Sequence, residues 1–420
     1  MNRRCFFHSV AAAAAASRPM RAASDRVNIA VIGVHGRGKA LTAGFSRMPD
    51  VSVEYVIDPD ENVIAPALAV LERAGRKRPK IGPDMRRAFE DKTIDAVVIA
   101  TPDHWHAPAA LLACDAGKDV YLEKPCSHNI REGRMLLDAV RRTGRIIQHG
   151  TQSRSREITR KAIEYAQSGK LGAVLMAKAW DVQKRRDIGH KPDGRPPAGV
   201  DYDVWVGPAP WMPFNENRFH YNWHWHWNFG TGDMGNDGAH QIDMARWALG
   251  VDYPDRVSGV GGKLHFHDDQ QTPDTMNITF SYPGKMLMFE MRLWNPYGME
   301  GVENGVAIYG SDALMQIGKW DRVWGFKVFD RDGKLALQEQ SPGEDEAHLR
   351  NFIDCVRSRR APNADILTGY KSVLHCHLGN IVARTGRAIR FDASAQAIAD
   401  DPEANALLGR EYRKHWGAPA

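Results

Sequence analysis

Hydrophobic patterning divides the chain into two regimes. The first part carries short, nearly continuous apolar runs: VNIAVI at 27–32, VSVEYVI before Asp58, DAVVIA before Pro102 and DVYL before Glu123. Runs without polar alternation suit strands covered on both faces, and the helical stretches between them predict a parallel sheet with helices on both sides. From about Gln148 the pattern changes. A turn leads into an amphipathic helix with Ile158, Ala162, Ile163 and Tyr165 near one face, followed by a strand, AVLMAKAWDV. Residues 184–220 are rich in Pro and Gly and read as a long functional loop. Beyond them, DTMNITFSY, KMLMFEMRLW and GVAIYGSDALMQIG alternate as a large antiparallel sheet would. HLRNFIDCVRSRR and the segment from Thr368 to Thr385 read as helices capping that sheet. The predicted class is α/β: a doubly wound parallel sheet over residues 26–150, then an α/β domain over 151–420 with a large, mostly antiparallel open sheet.

Composition changes this picture little. A chain of 420 residues exceeds one ordinary core, and 43% hydrophobic with 25% charged residues is a globular composition. The net charge of +5 is spread along the chain, and its densest basic runs, KRRDIGHK and RSRR, read as solvated loops, which argues against nucleic acid as a partner. The five cysteines (Cys5, Cys114, Cys126, Cys355 and Cys376) show no CxxC spacing, which excludes a disulfide framework or zinc knuckle. After the N-terminus no apolar stretch reaches the ~18 residues of a membrane span.

The first residues, MNRRCFFHSVAAAAAASRPM, pair Arg3 and Arg4 ahead of Cys5, Phe6, Phe7 and an alanine-rich run. This is the pattern of a twin-arginine leader, assigned to residues 1–24. The expectation is export of the folded protein to the periplasm, or a cytoplasmic location if the leader is not a working signal.

The first strand runs directly into glycines at 33, 36 and 38, and the second ends in an acid, Asp58, twenty residues past Gly38. Strand, glycine turn, helix, strand and terminal acid, in that order, form a dinucleotide-binding unit. The glycines let the backbone approach a pyrophosphate, and the helix N-terminus offers N–H donors. Asp58 would accept hydrogen bonds from the adenosine ribose, which favours NAD. His35 stands where the middle glycine of the motif is expected, with Gly36 beside it to supply the close approach. Candidate cofactor residues are Gly33, His35, Gly36, Arg37, Gly38, Asp58, Thr101, Pro102, His104, His106, Glu123, Lys124 and Gln152.

IATPDHWHAPAALLACDAGKDVYLEKP resembles the corresponding segment of the glucose–fructose oxidoreductase/inositol dehydrogenase (Gfo/Idh/MocA) family, with Glu123-Lys124-Pro125 as its Glu-Lys-Pro signature. The resemblance runs from about Arg26 onward and includes GAHQIDMARW. It implies a Rossmann domain joined to an α/β domain that often builds oligomers, here a homo-dimer or tetramer. It also implies a small-molecule substrate, a saccharide or cyclitol, and a role for Lys124 at the junction of nicotinamide and substrate. Oxidising a secondary alcohol requires a group that orients the hydroxyl and passes its proton on, which suits that lysine.

Two stretches carry the remaining chemistry. GTGDMGNDGAHQIDMARWALG bends at its glycines and starts a helix near Ala239, on which His240 and Asp243 share a face. In the family's Asp-x-Gly-x-His motif the histidine contacts the reacting hydroxyl. His240 and Gly238 match, whereas Asn236 replaces the aspartate and Asp237 follows it. Lys124, His240, Asp237 and Asp243 are the catalytic candidates. In YNWHWHWNF, an extended chain would place Trp223, Trp225 and Trp227 on one face and His224 and His226 on the other. A packed aromatic row and a saccharide-facing wall both fit; for a metal, no third ligand at motif spacing is apparent, so none is assigned. Trp205, Tyr221, His224, His226 and Asn236 are the substrate candidates. The function implied is NAD-dependent oxidation or reduction of a sugar, cyclitol or glycoside hydroxyl with a tightly bound cofactor. The alternatives are a glycosidase working through transient oxidation, elimination and re-reduction, and a non-catalytic sugar- and NAD-binding protein.

Overall fold

The protein is described by a computed structural model covering residues 26–419 apart from 296, 300, 343 and 344, so the leader assigned to residues 1–24 lies outside the described residues. The apolar runs become strands β1 (Val27–Ile32), β2 (Val51–Ile57), β3 (Lys80–Gly82), β4 (Ala96–Ile99), β5 (Asp119–Leu122) and β6 (Ile147–His149). They pair in the order β3-β2-β1-β4-β5-β6, all parallel. The order reverses between β1 and β4, and open sheets of this kind bind ligands outside the carboxyl ends of the strands at such a switch point.

The second sheet comprises β7 (Val174–Val182), β8 (Arg256–Gly262), β9 (Thr275–Tyr282), β10 (Lys285–Arg292), β11 (Asn304–Gly310), β12 (Leu314–Trp320), β13 (Val323–Phe329), β14 (Leu335–Ser341), β15 (Ile389–Asp392) and β16 (Ala397–Ile398). Its order is β14-β13-β12-β11-β7-β10-β9-β8-β15-β16, and β7 with β10 is its parallel pair. Along β9 and β10, buried residues alternate with half-buried or exposed ones, so one face is packed and the other more open. Helices Gly238–Leu249 and Ile366–Thr385 pack on the covered face, the second lying also against helix Ile130–Thr143 of the first domain. The late histidines on Ile366–Thr385 are core residues: His375 accepts from or donates to the Tyr282 hydroxyl at 2.6 Å, and His377 lies against Ser127.

One capping assignment is corrected. HLRNFIDCVRSRR forms helix Asp345–Ser358, but its Leu349, Phe352 and Ile353 pack with Ile29, Val31, Phe45 and Tyr121 of the first domain. Periodicity identifies an apolar stripe, not which of two apolar sheets it covers. The end of the chain also returns, placing His415 and Trp416 against Trp105.

Candidate active site

The cleft at the switch point is built by three segments. After β1, Gly33 takes a left-handed φ of 81°, and a Cβ there would lie 2.7 Å from the Ala100 carbonyl oxygen. Gly38 packs the following helix, Arg37–Ser46, onto that turn, since its Cβ would meet the Gly33 oxygen. A Cβ on Gly36, by contrast, would meet nothing within 4 Å. The backbone at the helix start is therefore open to an approaching group, although His35 occupies the motif's glycine position.

Asp58 directly follows β2 and accepts from Val34 N at 2.8 Å and Asp60 N at 3.0 Å, which orients both oxygens at the cleft edge. Burial pushes its carboxyl up to about 6, and those two N–H donors offset part of the shift. Thr101 lines the cleft with a buried Oγ1 that has no partner among the described residues. The cleft is open at its mouth. The open glycine turn, the placed acid and the hydroxyl left without a described partner all fit a dinucleotide.

The inner end of the cleft carries the signature lysine, preceding a cis Lys124–Pro125 peptide. Glu123 accepts from Arg37 Nε at 2.7 Å and Gln152 Nε2 at 3.2 Å. Burial pushes Glu123 up, but Arg37 and Lys124 outweigh it and hold the carboxylate at about 2. Lys124 Nζ donates to Asn236 Oδ1 at 2.6 Å, and Asn236 Nδ2 donates to Asp233 Oδ1 at 2.7 Å. Asp233, fully buried, is gripped by Arg185 at 2.9 and 3.0 Å. Arg185 also donates to Asp237 at 2.6 Å and to the Tyr221 hydroxyl at 2.7 Å.

His240 is pushed down to about 4, by burial first and then by the charge of Lys124, with Asp237 and Glu123 acting the other way. Its imidazole is therefore neutral near pH 7. Burial raises Asp237, but Lys124, Arg185 and His240 overcome it and keep that carboxylate ionised. Lys124 lines the cleft, whereas His240 and Asp237, also assigned as catalytic from sequence, are not among its lining residues; they lie close enough to Lys124 and to each other for their charges to act on one another.

Most of the residues assigned from sequence line this cleft: Gly33, His35, Gly36, Arg37, Asp58, Thr101, Pro102, His106, Glu123, Lys124, Trp205, Tyr221, His224 and Asn236. Others lie elsewhere, each for a visible reason. Gly38 faces Gly33, and Gln152 braces Glu123 and Tyr121 from behind. His104 is buried and donates from Nε2 to the Trp205 carbonyl at 2.9 Å, tethering a loop rather than facing a cofactor. Asp243 does not support His240. It forms a buried ion pair with Arg154 at 2.8 Å and accepts from Ser372 Oγ at 2.6 Å.

The aromatic stretch is not a strand. His220–Trp225 is a 3₁₀ turn, closed by local bonds such as His226 N to Trp223 O at 3.2 Å. Alternation therefore fails. Trp223 and His224 stack on each other at 3.6 Å and both line the cleft, whereas Trp225 is buried. His226 also points away, with Nε2 donating to Asn217 O at 2.7 Å.

Arg185, Asp233, His220 and Asp181 were not assigned from sequence. Arg185 belongs to the basic run read as solvated, yet its side chain is only 19% exposed. Asp181, Asp233 and Asp237 gather carboxylate oxygens within 4.8 Å of one another, with the Arg185 guanidinium bonded to two of the three. Burial and these two carboxylates push Asp181 well up. No helix among the described residues is long and apolar enough to cross a membrane.

Comparison with known proteins agrees with this geometry. The oxidoreductase family with an NAD-binding Rossmann fold (Gfo/Idh/MocA) matches residues 27–151, and that family's C-terminal alpha/beta domain matches 180–285 and 324–418. Levoglucosan dehydrogenase of Pseudarthrobacter phenanthrenivorans is 27% identical over 229 residues, 54% of this chain and 52% of that protein. A glycosyl hydrolase family 109 protein of Stenotrophomonas maltophilia is 29% identical over 221 residues, 50% of this chain and 48% of that protein. The chain thus spans about half the length of these curated relatives. The structure of the WlbA dehydrogenase from Bordetella pertussis, in complex with NADH and UDP-GlcNAcA, superposes with a TM-score of 0.66 at 16% identity, over 87% of this chain and 99% of that one. That likeness is one of fold.

Proposed function

The chain belongs to the Gfo/Idh/MocA oxidoreductase family, and from that premise we propose that it is an NAD-dependent oxidoreductase acting on a hydroxyl of a sugar, cyclitol or glycoside, with its cofactor tightly held. The observation that carries the reading is the placing of Lys124 on Asn236 at one end of a cleft that also holds the glycine turn and Asp58, with His240 near enough to be kept neutral in part by the charge of Lys124. When bound, NAD supplies the two-electron acceptor for the alcohol carbon. Lys124, fixed by Asn236, donates a hydrogen bond to the alcohol oxygen. Neutral His240 takes the hydroxyl proton, and ionised Asp237 stabilises the imidazolium that results. Tyr221, His224 and Trp223, contributed by the second domain, close the substrate side and suit a sugar, whose apolar faces stack on rings.

A second reading is favoured by the relative named as a glycosyl hydrolase: the same oxidation, made transient, acidifies a neighbouring C–H and permits elimination, water addition and return of the electrons. Glycoside cleavage without net change in the cofactor would select it. The paired arginines of the leader support export by the twin-arginine route, and with export the cofactor must stay bound and be regenerated in place. The half-buried face of the ten-stranded sheet supports a homo-oligomer, dimer or tetramer.

The test is to purify the protein without added nucleotide, denature it and quantify what is released. One NAD per chain after long dialysis is the expected result. A protein that is empty and binds no NAD would overturn the reading.

A further inference from the structure

His220 is a histidine in the left-handed region, with φ 45°. Residues other than glycine are uncommon there, and such outliers gather at binding and active sites. Two contacts tie it to the first domain. Its Nε2 lies 3.0 Å from Asp60 Oδ2, and its ring stacks on His35 at 4.3 Å. Asp60 is buried, and its backbone N–H is bonded to Asp58, the acid assigned to the ribose. His35 is the residue that replaces a glycine of the dinucleotide motif. The two irregularities therefore meet: a side chain where the motif has none, and a strained histidine from the other domain resting on it.

The chain around this contact is tied across the cleft on both sides. At the Asp58 edge, Glu61 N donates to Gly199 O at 2.9 Å and Asp201 N to Pro59 O at 2.8 Å. At the opposite edge, Trp105 Nε1 donates to Val204 O at 3.0 Å. The chain that follows these ties supplies Trp205, His220 and Tyr221 to a cleft lined also by Gly33, Gly36 and Arg37.

We propose that His220, bolted to Asp60 and stacked on His35, is a cofactor-retaining residue that keeps the second domain's loop closed over the dinucleotide cleft and sets the rate at which NAD leaves. The proposal rests on the reading of the cleft as an NAD site and adds a residue from outside the Rossmann domain. His35 is then no defect of the motif but one jaw of the closure.

The experiment measures NAD dissociation from the full-length protein, by displacement with a fluorescent analogue, for the wild type, His220→Ala, His220→Asn, Asp60→Asn and His35→Gly. Asparagine tolerates the left-handed backbone, so His220→Asn removes the ring without disturbing the turn. Melting of the nucleotide-free proteins checks folding. Release faster by about tenfold or more in the folded His220 and Asp60 variants is expected, because the His220 variants lose the bond to Asp60 and Asp60→Asn removes the carboxylate charge that strengthens it. His35→Gly combined with His220→Asn should be no faster than the quicker single variant. Wild-type release rates in folded His220→Asn and Asp60→Asn would overturn the proposal while leaving the NAD site intact. A wild type that binds no NAD would overturn both.

Discussion

At the scale of single residues, the site turns on an amide that cannot titrate. Lys124 only donates hydrogen bonds and Asp233 only accepts them, so Asn236 must turn its oxygen to the lysine and its nitrogen to the carboxylate. The family's aspartate is therefore not needed to hold the lysine; the charge sits one step back, on Asp233, where Arg185 neutralises it. Lys124→Met should lower the rate of sugar-dependent nicotinamide reduction by about 10²–10⁴-fold, the usual span for a positioned acid–base group. An unchanged rate under single-turnover conditions would remove Lys124 from the mechanism. For His240 the sign follows from burial. Its folded value is depressed from 6.5 to about 4, so the neutral, proton-accepting form persists as pH falls and is lost only near pH 4. The acid limb of kcat/KM that His240→Gln abolishes should lie near there. A limb at the ordinary imidazole value would show that His240 is not desolvated in the working enzyme.

At the scale of elements, what could be read from sequence was what repeats locally. The strand, glycine turn, helix and acid of residues 27–58 were legible because each piece has its own local signature, as were the bends before helix Gly238–Leu249. The 3₁₀ turn at His220–Trp225 was not, because Trp–His alternation imitates the period of a strand while its hydrogen bonds run to the residue three back. Arg185 was hidden for a different reason: its run looks solvated, and its partners Asp233 and Asp237 lie 48 and 52 residues further on. Asp243 shows the converse error. Helical spacing put it beside His240, but a buried arginine from another element took it. Asp243→Asn should therefore cost folding stability, by about 3–5 kcal/mol for one partner removed from a buried pair. Denaturant unfolding measures this, and a variant of wild-type stability with an altered pH–rate profile would restore the catalytic role.

At the scale of the molecule, two sheets share helices rather than meeting as separate bodies. Helix Asp345–Ser358 returns from the second half to cover the first sheet, and the last residues reach Trp105 at the cleft. The proposed twin-arginine route would export this fold already complete. Replacing Arg3 and Arg4 together by lysine should leave the full-length protein in the cytoplasm, as cell fractionation would show; unchanged periplasmic accumulation would refute that route. The proposed reaction moves electrons from a sugar-like hydroxyl to bound NAD in the inner cleft. The most direct measurement is therefore the nicotinamide absorbance of the NAD-loaded protein as a panel of sugars, cyclitols and glycosides is added without other reductant. Appearance of reduced nicotinamide, up to one equivalent per chain and absent in Lys124→Met, is the predicted result. A panel that shifts melting or fluorescence but never reduces the nicotinamide would contradict it and leave a binding protein in place of an enzyme.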